Sequence, residues 1–324
     1  MITLNPSHIS SGWLLGIYLS LPALFLIWLV DVAIFNTQLL PYMNIGAGLL
    51  PLYLLIFELP HIVASFLTLA DKSYLQFYKK TLGIGIPLII VTAVCLFYVS
   101  PLTVFVLYII ATTYHAIRQQ TGIASMLAGA KGTWFHIWNS SMIIGTALAW
   151  VLVITPQLFT PQTVVLFSAA VLGCVVVSIS SGFIYGSKAT TTIGWWYILA
   201  TTLMGVTAYF FLQVEYVFFA FFSLRFVHDV TAFTFYIVHD SNRNATSFQN
   251  SFYALFKKSR LPFLILVPVV SIGLALLLRI YVGDTITAIA IFATLGFIHY
   301  LVEGVIWKRH SIHREHISFV RSTP

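Results

Sequence analysis

The sequence predicts an all-α fold, a polytopic integral membrane helical bundle of about ten transmembrane helices. Hydrophobic residues make up 59% of the 324-residue chain and charged residues only 8%. Soluble domains carry roughly 25% charged residues. The mean hydropathy of this chain is +0.95. This composition excludes a soluble globular enzyme. The net charge of +7 is spread over short loops, which indicates contact with anionic lipid and no nucleic acid.

Ten apolar runs are long enough to cross a bilayer, which takes about 20 helical residues. They cover residues 12–35, 43–69, 82–100, 101–124, 134–155, 163–185, 192–214, 217–239, 261–282 and 285–307. The third and fourth runs meet at Ser100 and Pro101, and the seventh and eighth meet at Glu215, so nine helices is the alternative count. Because the longest connection covers only residues 240–260, we expect a single membrane domain over residues 1–324.

Lysine and arginine follow every even-numbered run and are almost absent from the other connections. Because these residues gather in cytoplasmic loops, we expect both termini in the cytoplasm. Residues 308–324 are predicted to form a basic cytoplasmic tail. We expect its histidines, His310, His313 and His316, to be solvated and to contact lipid headgroups.

Four predicted helices each carry a histidine with a charged residue within about one turn. The groups are Glu58 with His61, His115 with Arg118, Arg225 with His228 and Asp229, and His299 with Glu303. All four histidines lie about 8 to 11 residues before the cytoplasmic end of their helix, so their depths are comparable. An ionisable group at bilayer depth costs about 2.5 to 3.5 kcal/mol and usually marks a functional site. One site shared by the four helices is therefore predicted.

The residue types at this site predict metal binding. Imidazole is the commonest protein ligand for zinc, copper and iron. The predicted metal ligands are His61, His115, His228 and His299. The charged neighbours are candidate catalytic residues that orient an imidazole, bind the ion directly or balance its charge: Glu58, Arg225, Asp229 and Glu303. The Glu-x-x-His spacing of residues 58–61 also occurs in di-iron bundles, so one ion and two ions both remain open.

A proline directly before His61 modifies its helix. Pro60 has no N–H, so the carbonyl of Ile56 loses its helical hydrogen-bond partner and we expect a locally opened helix. For any one histidine taken alone, the alternative is a hydrogen bond to a neighbouring helix. Further residues are candidates either for lining the same cavity or for packing: Tyr114, Gln119, Gln120, Trp138, Asn139 and Tyr300.

Short motifs surround the four histidines. They are Leu59-Pro60-His61, Thr113-Tyr114-His115, Phe226-Val227-His228 and Phe297-Ile298-His299-Tyr300, with an acid four residues after the last histidine. Together they resemble the bacterial Brp/Blh family of β-carotene 15,15'-dioxygenases, in which four histidines from different membrane helices hold a non-haem iron that cleaves a carotenoid with dioxygen. The resemblance implies iron ligation by His61, His115, His228 and His299, and a place in a bacterial inner membrane.

The motifs differ from the pattern of that family at two places. The family's first motif continues as Leu-Pro-His-Gly with an aspartate four residues after the histidine, whereas this chain has Ile62 and Ser65. The family's third motif carries two histidines close together, whereas His228 and His239 lie three turns apart here. We therefore expect a distant relative or an analogue.

These observations predict an iron-dependent membrane oxygenase that uses dioxygen to oxidise or cleave a lipophilic substrate, either carotenoid-like or another lipid. Two alternatives remain. The first is a haem protein, in which two of the histidines are axial ligands and the arginines pair with propionates. The second is a proton- or ion-coupled transporter that uses the Glu, His, Asp and Arg side chains as a relay.

Overall fold

The computed structural model describes residues 7–43, 49–130, 132–259, 261–283, 286–308 and 311–320, which are almost entirely helical. The α-helices are α1 (Ser11–Gly16), α2 (Ser20–Ala33), α3 (Leu49–Tyr53), α4 (Leu59–Leu67), α5 (Lys72–Val99), α6 (Pro101–Ala128), α7 (Thr133–Ile154), α8 (Pro161–Gly186), α9 (Thr192–Gln213), α10 (Val217–Arg243), α11 (Phe263–Val282) and α12 (Ile286–Ile306). A π-helix, Leu54–Glu58, joins α3 to α4. Two short strands, β1 (His8–Ser10) and β2 (Ser318–Val320), pair in parallel.

Within the described residues, eight helical segments are long and apolar enough to cross a membrane. They are Ser11–Ala33, which contains α1 and α2, and each of the helices α5 to α11. Shorter apolar helices, Leu54–Leu67 and Ala290–Ile306, lie in the second and tenth predicted runs. The prediction of an all-α polytopic bundle is confirmed. In the second run, α3, the π-helix and α4 follow one another without a gap from Leu49 to Leu67, and residues 44–48 of that run lie outside the described residues.

Both junctions that allowed a count of nine are real helix breaks. Ser100 has φ −160° and ψ 99°, since a residue before proline is kept out of the helical region. Glu215, between α9 and α10, has φ +66°, which no helix accommodates. The alternative of fused helices is therefore wrong. Helix α10 continues about one turn beyond its predicted end at residue 239, so Asp240 also belongs to it.

One compact unit contains the described parts of Met1–Ser10, Tyr53–Tyr108 and Asp229–Val320. In this unit α4 packs against α11 and α12, and α12 packs against α5. The core is made of branched aliphatic and tyrosine side chains, among them Leu67, Tyr74, Tyr236, Val267 and Val302. Buried ionisable side chains of the same unit, such as His61 and Glu303, lie inside this packing.

A second compact unit contains the described parts of Ser11–Leu52 and Ile109–His228. Helix α7 packs along α8, and both contact α9. Glycines allow these helices to approach closely. A Cβ atom on Gly145 would lie 2.7 Å from Cβ of Cys174, and one on Gly194 would lie 2.4 Å from the backbone Cα of Ala128. Small residues at such contacts are typical of helix packing in membranes.

Residues 311–320, here named the C-terminal segment, fold back onto the first unit. Strand β2 pairs with β1, so that His8 lies opposite Ser318. His313 is completely buried and His316 is half-buried. The expectation of a solvated tail is therefore wrong for His313, because aromatic side chains of α5 and α10 surround it. His310 lies outside the described residues, and the cytoplasmic location of the termini and the single domain stay predictions.

We predict that Gly194→Ala lowers the thermal unfolding temperature of the detergent-purified protein. The new methyl group would overlap the backbone of Ala128, which cannot move as a side chain can, and such overpacking costs about 1 to 3 kcal/mol. The matched control is Gly173→Ala on α8, where an added Cβ meets no atom within 4 Å. This control should unfold at the wild-type temperature or above it. Equal unfolding temperatures for the two variants would contradict the close contact.

Candidate metal centre

The backbone reaches His61 through a widened helical turn. In the π-helix the N–H of Leu59 bonds to the carbonyl of Leu54, five residues back. Pro60 follows at the start of α4 and has no N–H to return to the carbonyl of Ile56. The predicted local opening of this helix is confirmed. Such π-turns are frequent at functional sites, because they shift the side chains that follow relative to a regular helix.

His61 is completely buried, and its two ring nitrogens face two carboxylates. Nδ1 lies 3.4 Å from Oδ1 of Asp229, and Nε2 lies 3.7 Å from Oε1 of Glu303. The hydroxyl of Tyr53 donates a 2.5 Å hydrogen bond to Oδ2 of Asp229 and holds it in place. If the ring proton of His61 lies on Nδ1, toward Asp229, Nε2 presents its lone pair to a metal.

Glu303 lies on the metal-facing side of His61. The hydroxyl of Tyr236 donates a hydrogen bond to its Oε1, and the carboxylate is buried. Two ligands of one ion, each about 2.1 Å from it, are separated by at most about 4.2 Å. The 3.7 Å separation from Nε2 of His61 falls inside that limit. Glu303 meets this limit with His61, but it is not a member of the four-histidine group, so it borders the centre beside His61.

The position of the ring proton of His299 follows from the hydrogen bonds of one serine, Ser65. Ser65 lies on α4, four residues after His61, and its hydroxyl donates a 2.6 Å hydrogen bond to the carbonyl of Ile62. Since the hydroxyl has only one hydrogen, its oxygen must accept in the 2.9 Å contact with Nδ1 of His299. The proton of His299 therefore lies on Nδ1, and Nε2 presents a lone pair. The position at which the family pattern has an aspartate thus holds a neutral acceptor in this chain.

His115 on α6 and His228 on α10 form a second pair of rings. Their centroids are 4.9 Å apart and the rings are nearly perpendicular, at 82°. Arg225, one turn before His228, is almost completely buried and donates a 2.9 Å hydrogen bond to Oγ1 of Thr112, one turn before His115. This bond joins α6 to α10 beside both histidines. Arg225 therefore positions this pair.

The four predicted ligands come together. One nitrogen from each of His61, His115, His228 and His299 lies within 4.8 Å of those of the other three. The rings of His61 and His299 are also nearly perpendicular, at 82°, with centroids 4.4 Å apart. His115 is half-buried and the other three are buried. The predicted convergence of the four histidines is confirmed, and they lie close enough to hold a metal ion.

The donor set fits a metal ion. Opposite ligands of one ion are about 4.2 Å apart, so movements of a few tenths of an ångström would bring all four nitrogens, within 4.8 Å of one another, onto one sphere. The buried carboxylates of Asp229 and Glu303 beside His61 add negative charge. Among the described residues, the group contains histidines only, so Glu58 and Glu303 are not members of it.

Glu58 lies at the end of the π-helix and accepts a 2.6 Å hydrogen bond from the hydroxyl of Tyr108. The ring of Tyr108 stacks with that of Tyr300 at 6.3 Å, and Tyr300 contacts His299 at 5.4 Å between centroids. Glu58 is thus connected to the histidines through two tyrosines. Of the predicted catalytic residues, Asp229 and Glu303 lie beside His61, whereas Arg225 contacts Thr112 and Glu58 contacts Tyr108.

Most candidate lining residues belong to other hydrogen-bond networks. Gln120 accepts hydrogen bonds from Tyr18 and Tyr197, and the indole of Trp138 donates to Thr202. The others are Gln119 bonded to Gln120, Asn139 bonded to Thr121, and Tyr114, which is exposed. These side chains hold helices together, as the alternative interpretation of them proposed. Tyr300 alone among them contacts a histidine of the centre.

Three important contacts were not expected from the sequence. Ser65 had a detectable signal, because a residue four positions after His61 lies on the same helix face. Tyr53 and Tyr236 had none. Their partners, Asp229 and Glu303, lie 176 and 67 residues away along the chain, and no local spacing indicates such contacts.

We predict that Ser65→Ala weakens metal binding by about 10- to 100-fold, the usual cost of removing a group that orients a ligand. Without the serine oxygen, the ring of His299 loses the acceptor that keeps its proton on Nδ1. Metal affinity is measured by competition with a chelator. The matched control is Ser178→Ala on α8, because Ser178 makes the same bond to the carbonyl three residues back, that of Val175. Equal affinity in both variants would contradict the assigned role.

We predict that Asp229→Asn also lowers metal affinity, by at least about tenfold. The change keeps the shape of the side chain but removes the negative charge beside Nδ1 of His61. Asp31→Asn is the control, since Asp31 is another buried carboxylate that accepts a hydrogen bond from a tyrosine, Tyr216, at 2.6 Å. The control should bind metal like the wild type, and a comparable loss in both would indicate a general effect of buried charge.

No protein-family model matches this chain, and no curated protein or solved structure shows significant similarity to it. What the centre can hold and do follows from its own residues and distances.

Proposed function

We propose that this chain is a membrane-embedded metalloenzyme in which one non-haem iron ion, bound by four histidines, serves the oxidation or cleavage of a lipophilic substrate with dioxygen. The observation that carries the proposal is the convergence of one nitrogen from each histidine within 4.8 Å. His115 and His228 lie in helices that are long and apolar enough to cross a membrane, and His61 and His299 lie in shorter apolar helices. A substrate dissolved in the membrane is the natural partner of such a site.

The donor set favours iron over a structural zinc site. Structural zinc is bound by four ligands in a closed tetrahedron and is usually held in part by cysteine. Here all four donors are imidazole nitrogens, and a carboxylate, Oε1 of Glu303, lies 3.7 Å from Nε2 of His61, at the border of the group. Nitrogen and oxygen donors with room for further ligands suit iron. The resemblance of the histidine motifs to the Brp/Blh family supports the same metal.

The residues around the histidines orient the imidazole rings and hold Glu303 in place. Ser65 and Asp229 keep the ring protons of His299 and His61 on Nδ1, so that both Nε2 atoms present lone pairs. Tyr236 donates to Oε1 of Glu303 and holds this carboxylate beside His61. Bound iron would supply the activation of dioxygen. The burial of the histidines excludes bulk water from this chemistry.

The same geometry argues against a haem. In a haem with two axial histidines, the macrocycle occupies the plane between the two imidazoles. Here all four histidine nitrogens lie within 4.8 Å of one another. If two of them were axial ligands, the other two would occupy the volume of the macrocycle. One ion bound directly by imidazoles fits these distances better.

A line of buried ionisable side chains supports the transporter as a second candidate. It runs from Tyr53 through Asp229, His61 and Glu303 to Tyr236. Such chains of acids and histidines carry protons in membrane pumps. The oxygenase is preferred because a proton relay gives no reason for four imidazoles to meet at one point.

The test is iron per chain, measured by mass spectrometry on detergent-purified protein supplemented with iron. We expect about one iron per chain and no Soret band in the wild type, because four imidazoles form a mononuclear site. His61→Ala and His299→Ala should each lose the metal and, with it, dioxygen uptake in the presence of a carotenoid-like lipid. His136→Ala, at an exposed histidine on α7, is the matched control.

Normal iron content in both the His61→Ala and His299→Ala variants would overturn the assignment. If the supplemented wild type held no stoichiometric metal, proton or substrate flux would be measured in proteoliposomes, which tests the transporter. Iron without dioxygen uptake would retain the centre and refute the oxygenase.

A further inference from the structure

A second group of histidines lies at the other end of helix α10, where the C-terminal segment is seated. The ring of His313 lies between that of Tyr74, at 3.8 Å between centroids, and that of His239, at 4.7 Å. Its Nδ1 is 3.1 Å from the hydroxyl of Tyr78. The side chain is completely buried. This histidine is thus a fully buried attachment point of the segment.

Apolar contacts and hydrogen bonds also attach this segment. Ile312 packs against the core of the first unit, and the ring of Phe319 contacts that of Phe235 at 5.7 Å between centroids. Strand β2 pairs with β1 over three residues. The side-chain amide of Asn242, at the end of α10, donates at 2.9 Å to the carbonyls of Ser7 and His316. The hydroxyl of Ser311 donates to the carbonyl of Ile306. Among these attachments, the ring of His313 is a completely buried titratable group, so a proton on it would act directly on the seated state.

The site that holds the ring of His313, here named the seat, is formed by Tyr74, Tyr78 and His239 and suits a neutral imidazole only. The described residues offer no carboxylate within ion-pair distance of His313, and its Nε2 has no hydrogen-bond partner. The nearest acids are already engaged. Asp240 lies 2.8 Å from Nδ1 of His239, and Asp71 accepts a 2.8 Å hydrogen bond from Arg243.

The ionisable groups around His313 do not favour a positive charge. Those that face it or its neighbour His316 from α5, from α10, from the residues before α5 and from the segment itself are Tyr74, Tyr78, His239, Asp240, Arg243, Asp71 and Glu315. Burial, followed by His239, His316 and Arg243, lowers the pKa of His313 from 6.5 to about 2. Burial also lowers the pKa of His316.

We infer that the C-terminal segment is an acid-released cap, seated on α5 and α10 while His313 is neutral and detached when this histidine takes up a proton. The inference is independent of the metal centre and of the function proposed for it. The cap makes one part of the surface of the first unit respond to pH, which is the usual function of a histidine that is buried in one state and solvated in the other.

The direction of the response follows from proton linkage. The pKa of His313 is depressed in the seated state and returns to its ordinary value near 6.5 when the segment is released. The stabilisation of the seated state is therefore fully present above the pKa of His313 in the released segment, near 6.5, and is lost as pH falls below that value. One such group changes the ratio of seated to released protein by about tenfold between pH 7.5 and pH 5.5. His316 acts in the same direction.

Hydrogen exchange followed by mass spectrometry on the full-length protein in nanodiscs tests this inference. The readout is the protection factor of peptides that cover residues 317–320, corrected for the intrinsic rate at each pH. We expect protection in the wild type to fall about tenfold or more from pH 7.5 to pH 5.5. In His313→Phe, which fills the seat with a ring that does not titrate, this fall should shrink by about tenfold. His136→Phe, at an exposed histidine, should behave like the wild type.

Two results would overturn the cap. One is equal protection of the wild type at the two pH values. The other is the same loss of protection in His313→Phe as in the wild type. If His313→Phe is already unprotected at pH 7.5, His313→Gln replaces it, because glutamine can still accept the hydrogen bond of Tyr78 and does not titrate. Metal content does not enter the readout, so failure here leaves the metal centre untouched.

Discussion

The structure of the centre depends on burying four imidazoles in one small volume. A neutral imidazole carries one N–H donor and one acceptor nitrogen, and four of them can share a centre only if their protons point outward. Acceptors must therefore stand behind the rings. Ser65 behind His299 and Asp229 behind His61 meet this need, one as a neutral oxygen and the other as a carboxylate. The π-turn and Pro60 then give α4 the local geometry with which His61 and Ser65 enter the core.

Burial also explains a hydrogen bond between tyrosine and a carboxylate that recurs through the molecule. Each of four buried acids accepts a hydrogen bond from a tyrosine hydroxyl: Asp229 from Tyr53, Glu303 from Tyr236, Glu58 from Tyr108 and Asp31 from Tyr216. A phenol satisfies a carboxylate at low cost in an apolar region, because it brings its own apolar ring. It adds no positive charge, so the acids beside the histidines keep a negative field that favours a cation.

The two histidine groups differ in ring orientation, and this separates their chemistry. At the metal centre the rings of His61 and His299, and those of His115 and His228, are nearly perpendicular, which lets their nitrogens aim at a common point. His239 and His313 instead stack at 15°, so that their faces and not their nitrogens meet. A proton on His313 would place a charge inside this aromatic stack, away from any carboxylate within ion-pair distance among the described residues. One arrangement suits a metal ion and the other a response to pH.

The sequence by itself determined the helical membrane class and indicated the four histidines as one set, because hydrophobic length and the cost of buried charge are local properties. It left the helix breaks at Pro101 and before α10 open, and the backbone angles of Ser100 and Glu215 decided them. Only the tertiary structure decided which groups stand behind each imidazole and that His313 is buried. Tyr53 meets Asp229 across 176 residues and Tyr78 meets His313 across 235. Such contacts depend on which helix faces pack together, and no local spacing encodes that choice.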